Sequence, residues 1–180
     1  AIPGVDLVVG NREKMSIVEQ VRTLSGKVRS TKVGNWPDMQ NGLAQDLLSG
    51  FSDRTRAFIQ IQQGCDQSCT YCIIHRARGP SRSVLPDHVE SQVQRLLTHG
   101  YREIVICGVD IGSWGEDLEN RSFIEVSDLV RLLDRISDLQ GDYRIRLSSI
   151  DPVHIEDSLL DLISSNERFC PHLHISMQSA

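Results

Sequence analysis

The sequence predicts an α/β fold: a partial (β/α) barrel with parallel strands, preceded by the last β-α unit of another α/β domain. Two observations carry this. From Arg56 onward, strand-like apolar runs alternate with stretches of helical periodicity, and the connections are too long for hairpins. Two of those strands present one apolar and one polar face, which suits a sheet covered by helices on one side and facing a wet or ligand-filled interior on the other. The alternation alone fits an open doubly wound sheet as well as an arc of barrel, and four strands cannot close a barrel.

Taken in order, Val5 to Val9 is a short apolar run broken by Gly10-Asn11, after which Met15, Val18, Val21 and Leu24 recur at helical spacing. Residues 1–25 therefore read as the end of a domain that begins elsewhere. Residues 26–55 have weak periodicity and several Gly, Ser, Asn and Pro, and read as a linker with one helical turn around Leu43 to Leu48. The main core covers 56–180 and is expected to be incomplete at its C-terminus. It opens on AFIQIQ (57–62), where apolar and polar residues alternate as in a strand. Pro86 stands where a first-turn proline belongs, and Val89, Val93, Leu96 and Leu97 mark a helix ending at Gly100. EIVIC (103–107) reads as a strand buried on both faces. Beyond the loop GVDIGSWGED, Ile124 and Val126 begin a periodic stretch that runs through Leu129, Val130, Leu132, Leu133 and Ile136. YRIRLSS (143–149) is a third strand, with Arg144, Arg146 and Ser148 opposite Tyr143, Ile145 and Leu147. Leu159, Leu160, Leu162 and Ile163 make a short helix. HLHISMQS (172–179) is a fourth strand, with His172, His174, Ser176 and Gln178 facing away from Leu173, Ile175 and Met177.

At 180 residues, 39% hydrophobic and 24% charged, the chain has the size and composition of one soluble globular domain or slightly more. No run approaches the ~20 apolar residues of a membrane span, and the N-terminus shows no secretion signal. A cytoplasmic setting with no membrane partner is expected. A net charge of −5 argues against a surface that binds nucleic acid throughout, but not against a local basic patch. Five cysteines, an odd number without an export signal, do not read as a disulfide framework.

Three of those cysteines fall in one loop, GCDQSCTYCIIHRARG (64–79), directly after the first strand of the core. Cys65, Cys69 and Cys72 are spaced C-x3-C-x2-C, and soft thiolates at such spacing converge on one metal centre. Structural zinc is closed by four ligands, normally in paired C-x2-C units. Here there is one such pair, and His75 as a fourth ligand would need very tight wrapping. A 4Fe–4S cluster on three thiolates leaves one iron open to chelate a substrate. A metal-free group of cysteines is the third reading. Arg76, Arg78 and Arg82 make a local basic patch beside the loop, suited to phosphate or simply solvated. Cys107 and Cys170 read as buried small hydrophobes.

The string FIQIQQGCDQSCTYCIIHRARGPSRS, with VDLVVGNREK, GVDIGSWG, RLSSIDP and PHLHISMQS, resembles the radical S-adenosylmethionine (SAM) tRNA methylthiotransferases, in register from Val5 to Ser179. It is most similar to the branch acting on N6-threonylcarbamoyladenosine. The resemblance implies a barrel of the radical SAM type in which Cys65, Cys69 and Cys72 bind a 4Fe–4S cluster and SAM chelates the open iron. One electron from the cluster then cleaves SAM, and a methylthio group is added at C2 of the modified adenosine next to the anticodon. It further implies a reducing electron donor, the tRNA anticodon stem-loop as partner, and a second 4Fe–4S cluster in the preceding domain. By the same resemblance, Tyr71, Gly108, Arg146 and Ser148 are candidates to contact SAM, and Arg76, Arg78, Arg82, His172 and Gln178 to contact RNA. His75 stands where the family usually has proline, and Ala180 where it usually has glycine. A related methylthiotransferase acting on isopentenyladenosine or on a protein side chain, and a non-redox metal-stabilised RNA-binding module, are the competing readings.

Overall fold

The computed structural model describes residues 3–11, 13–24, 29–34, 48–50, 54–118 and 128–178. Its centre is a parallel sheet of three strands in the order β3 (Ala57–Gln60), β6 (Glu103–Cys107), β7 (Arg144–Leu147). The connections carry α3 (Pro86–Thr98) and α4 (Asp128–Ser137), which pack on each other, and α4 in turn meets α5 (Asp157–Ser165). Strands in sequential order, with consecutive helices touching, describe an arc of a β/α barrel; a doubly wound sheet would reverse its strand order and split the helices between two faces.

Register assigns the faces. Ala57 pairs Ile104 and Ile59 pairs Ile106, while Ile104 and Ile106 pair Ile145 and Leu147. All six are buried and meet Val89, Val93, Leu96, Leu132, Leu133 and Ile136 of the helices in one core. Burying each such aliphatic side chain contributes about 1.5–3 kcal/mol before conformational entropy is subtracted. Tyr143 anchors the start of β7 by donating its hydroxyl hydrogen to the carbonyl of Ile136.

The opposite face carries Phe58, Gln60, Glu103, Val105, Cys107, Arg144 and Arg146. The polar inner face expected from the sequence is therefore present on β7. At its lower end Glu103 is buried under arginines: Arg144 Nε donates to Oε2 at 2.7 Å, Arg146 Nε to Oε1 at 2.8 Å, and Arg56 Nε lies 3.5 Å from Oε1. Burial would raise the Glu103 pKa, but the hydrogen bonds from Arg146 and Arg144 outweigh it and hold the carboxyl below its usual 4.5.

The N-terminal unit is β1 (Leu7–Val9), α1 (Ile17–Thr23) and β2 (Ser30–Lys32), with β1 and β2 parallel. β2 falls in the stretch expected to be a linker from residue 26, so this unit extends past residue 25. Of the helical turn expected around Leu43 to Leu48 only Leu48 is among the described residues, and it is not helical; the periodic start at 124–126 lies outside them. The apolar stripe of α1 is not covered: Val18 and Val21 are exposed, while Gln20 is buried.

The last strand departs most from expectation. β8 (Ser149–Ile150) and β9 (His174–Ile175) pair in parallel over two residues. Ile175 and Met177, expected to be the covered face, are exposed. Of the expected apolar face only Leu173 packs against the core; Ile175 and Met177, further along the edge strand, are left open.

Candidate functional site

The C-terminal ends of β3, β6 and β7 lie on one side of the sheet, and chemistry-bearing residues gather there. β3 continues through Ile61 into β4 (Gln62–Gln63), which pairs antiparallel with β5 (Arg82–Ser83); the cysteine loop is the excursion between them. A short helix, α2 (Ile74–Ala77), closes the loop.

The loop is stapled at its neck. Cys65 N–H donates to Gly79 O at 3.2 Å, and Cys72 N–H to Cys69 O at 3.0 Å. Gly64 has φ +80°, and a Cβ there would stand 1.9 Å from Pro80 O. Alanine at Gly64 combines left-handed strain with a backbone clash and is expected to cost about 2–4 kcal/mol. Urea denaturation checks this, with Gly141→Ala as a control: its φ is +140°, but a Cβ there would meet no atom closer than 3.6 Å.

Cys65 and Cys72 are half-buried and Cys69 is exposed; all three are free thiols. Burial pushes the Cys65 thiol up; a backbone hydrogen bond from Gln67 opposes this, and the nearby negative charges of Asp110, Cys69 and Cys72 add to it. Three soft sulfur donors on one short loop gain from a shared cation. Among the described residues no three His, Cys, Asp or Glu groups converge on a single ion. A cluster asks for less convergence, because each thiolate binds a separate iron, and the accessible donor set on one stapled loop fits it. Cys107 differs in position: it stands on β6 outside the loop, and burial pushes its thiol up to about 11 against a hydrogen bond with Ser148. Cys170 is buried, as expected.

The other candidates separate by position. Tyr71 is 68% exposed, with its ring on the open side of the loop by Cys69 and Cys72. Gly108 follows β6, where a Cβ would meet Ile111 Cγ2 at 2.7 Å and Gln62 Oε1 at 3.1 Å. Ser148 lies at the end of β7, its hydroxyl near the Cys107 thiol. Arg146 lies on the inner face of β7, where its Nε donates to Glu103 Oε1 at 2.8 Å and ties its guanidinium to the start of β6. Arg76 is exposed and Arg78 half-buried, but Arg82 is only 5% exposed, with Nη2 donating to Arg78 O at 3.1 Å and Asp117 close by. The expected three-arginine patch is corrected accordingly: the β4–β5 ladder draws Arg82 inward. Lys14, from the N-terminal unit, stands near Arg78, and burial together with the charges of Arg78 and Arg82 depresses its pKa. No sequence spacing linked it to the loop. His172 and Gln178 are exposed on either side of β9.

Two features of this rim were not anticipated. His154 Nε2 lies 3.4 Å from Asp110 Oδ1, with the imidazole laid over Gly112. Gln62 is completely buried between the cysteine loop and the loop after β6.

Residues 59–180 match the radical SAM superfamily. Over 176 residues, 97% of this chain and 38% of the relative, it is 38% identical to the threonylcarbamoyladenosine tRNA methylthiotransferase MtaB of Thermotoga maritima. It is 40% identical to that of Bacillus subtilis over 99% of this chain and 39% of the relative. A tRNA-2-methylthio-N(6)-dimethylallyladenosine synthase of Clostridium botulinum is 29% identical over 98% of this chain and 38% of its own length. The chain therefore spans about two-fifths of the length of the curated relatives it matches.

Proposed function

Since the chain belongs to the radical SAM superfamily, we propose that it supplies the cluster- and SAM-binding core of a cytoplasmic tRNA methylthiotransferase acting at C2 of N6-threonylcarbamoyladenosine beside the anticodon. The superfamily implies SAM and a 4Fe–4S cluster. The single observation that carries the reading is the stapled loop presenting Cys65, Cys69 and Cys72 at the C-terminal ends of a parallel barrel arc, the end where such folds hold their ligands. Identity favours the threonylcarbamoyl branch: 38–40% to relatives of that name, against 29% to the dimethylallyl synthase.

When bound, the cluster supplies the electron that cleaves SAM, drawn from an external reductant. The chain's own residues hold and shield. Cys65, Cys69 and Cys72 are the proposed ligands. Tyr71, Gly108 and Ser148 stand on the same rim, where the glycine lets the backbone come close to a ligand and the exposed ring can cover one. Arg76 and Arg78, joined by Lys14, offer guanidinium and ammonium groups to phosphates of the anticodon stem-loop. His172 and Gln178 are further candidates for RNA. A second 4Fe–4S cluster is expected in the preceding domain, whose C-terminal end residues 1–25 resemble. No described helix is long and apolar enough to cross a membrane.

The test is nucleoside analysis by mass spectrometry of tRNA from a deletion strain. Loss of 2-methylthio-N6-threonylcarbamoyladenosine, with the isopentenyl counterpart retained, is expected. Its persistence, with no second enzyme present to make it, would overturn the substrate assignment; loss of the isopentenyl form would move the assignment to that branch.

A further inference from the structure

Gln62 is completely buried, and every hydrogen-bonding position of its amide is used. Nε2 donates to Gly64 O at 2.9 Å and to Ser81 Oγ at 2.9 Å. Oε1 accepts from Val109 N–H at 3.0 Å and Asp110 N–H at 2.8 Å. One side chain thus grips three segments: the residue before Cys65, the strand that returns from the cysteine loop, and the loop that leaves β6. Ser81 extends the grip, since its N–H donates to Asp66 Oδ1 at 3.1 Å and its hydroxyl lies 3.4 Å from Ser113 Oγ. The close fit at Gly108, where a Cβ would stand 3.1 Å from Gln62 Oε1, keeps the β6 loop against the amide.

From this we infer that Gln62 is a positioning residue that sets Cys65 in register with the loop after β6, so that a ligand of the cysteine-bound cluster meets the backbone of Gly108–Asp110 in one fixed arrangement. The inference rests on the superfamily reading for the identity of that ligand, SAM, but not for the clamp itself. An amide suits the task because it donates to one loop and accepts from the other. A carboxylate could accept from Val109 and Asp110 and would lose both donations to the cysteine-loop side. Methionine, of similar length, would lose all four bonds.

The test compares Gln62→Met and Gln62→Glu with Gln92→Met in the full-length protein. Gln92 is also a buried amide, bonded through both ends to the Leu48 backbone from α3, remote from the cysteines. It reports the loss of a buried amide alone. The first readout needs no cluster: the alkylation rate of Cys65 in the metal-free protein, followed by peptide mass spectrometry. A rise of at least about fivefold in both Gln62 variants, with Gln92→Met unchanged, is expected. The second is the KM for SAM after anaerobic reconstitution at matched iron content. It should rise about tenfold or more in both Gln62 variants with kcat less affected, and stay at the parent value in Gln92→Met. If Gln62→Met does not fold, Gln62→Glu carries the test. Equal Cys65 alkylation and equal KM across the Gln62 and Gln92 variants would overturn the inference. A parent protein that takes up iron and sulfide but never cleaves SAM would overturn the superfamily-based reading instead, leaving the alkylation result to decide the clamp.

Discussion

With Cys65, Cys69 or Cys72 replaced by alanine in the full-length protein, the fold is expected to survive and the chemistry to vanish. Each variant should lose the roughly four irons of the cluster proposed for this loop, and SAM cleavage should fall below about one-hundredth of the parent rate, equivalent to at least ~2.7 kcal/mol in the barrier. The asymmetry between stability and activity follows from burial. Cys69 is exposed and the other two are half-buried, so truncation removes little core area. The loop keeps its neck through Cys65 N–H to Gly79 O and through the Gln62 amide, neither of which uses a thiol. Alanine at Cys107 or Cys170 should do the reverse, costing packing while retaining the iron. Iron analysis and thermal denaturation, measured side by side on the five variants, read both quantities.

The second large effect is expected far from the cysteines. Glu103→Gln should destabilise the protein by about 2 kcal/mol at neutral pH, because charge-assisted hydrogen bonds to Arg144 and Arg146 become neutral–cationic and one acceptor oxygen is lost. The figure stays below that of a fully buried pair because Arg56 and Arg144 are themselves more than half exposed and can turn to water. Glu103 has its folded pKa below the 4.5 of a free glutamate, so its contribution is fully present above about pH 4.5 and is lost as pH falls through the folded value. The gap between parent and Glu103→Gln in urea denaturation should therefore narrow as pH is lowered from 7 towards 3. A gap that holds constant over that range would assign the effect to packing. Activity per folded molecule should be unchanged, which separates this end of the sheet from the cysteine end.

Much of this arrangement could be read from sequence, for identifiable reasons. Strands β3 and β6 are short apolar-rich runs and helices α3 and α4 periodic ones, and their apolar residues meet in one core, so local pattern and tertiary packing agree. Pro86 marks the start of α3 as expected. The cysteine loop announces itself because its residue types have little other use at that spacing. What sequence could not give are matters of partnership. Alternation predicts a face for Ile175 and Met177 but not whether a layer covers it, and periodicity in α1 marks a stripe that the structure leaves exposed at Val18 and Val21. Arg82 looks like a member of a basic run until the β4–β5 ladder turns it inward, and Arg146 keeps its inner-face position but is tied there to Glu103, a partner over 40 residues away that spacing could not reveal. Gln62 reads as the polar half of an alternating strand; its function as a clamp exists only once residues 64, 81, 109 and 110 are brought together in space.

The claim on which the rest depends is that Cys65, Cys69 and Cys72 carry a redox-active cluster with an open iron. Anaerobic reconstitution of the full-length protein with iron and sulfide, followed by dithionite and SAM, tests it most directly. The predicted result is an absorption band that bleaches on reduction and release of methionine and 5′-deoxyadenosine, both lost when the three cysteines are replaced together. One tightly held zinc on these cysteines and no cleavage of SAM would contradict it.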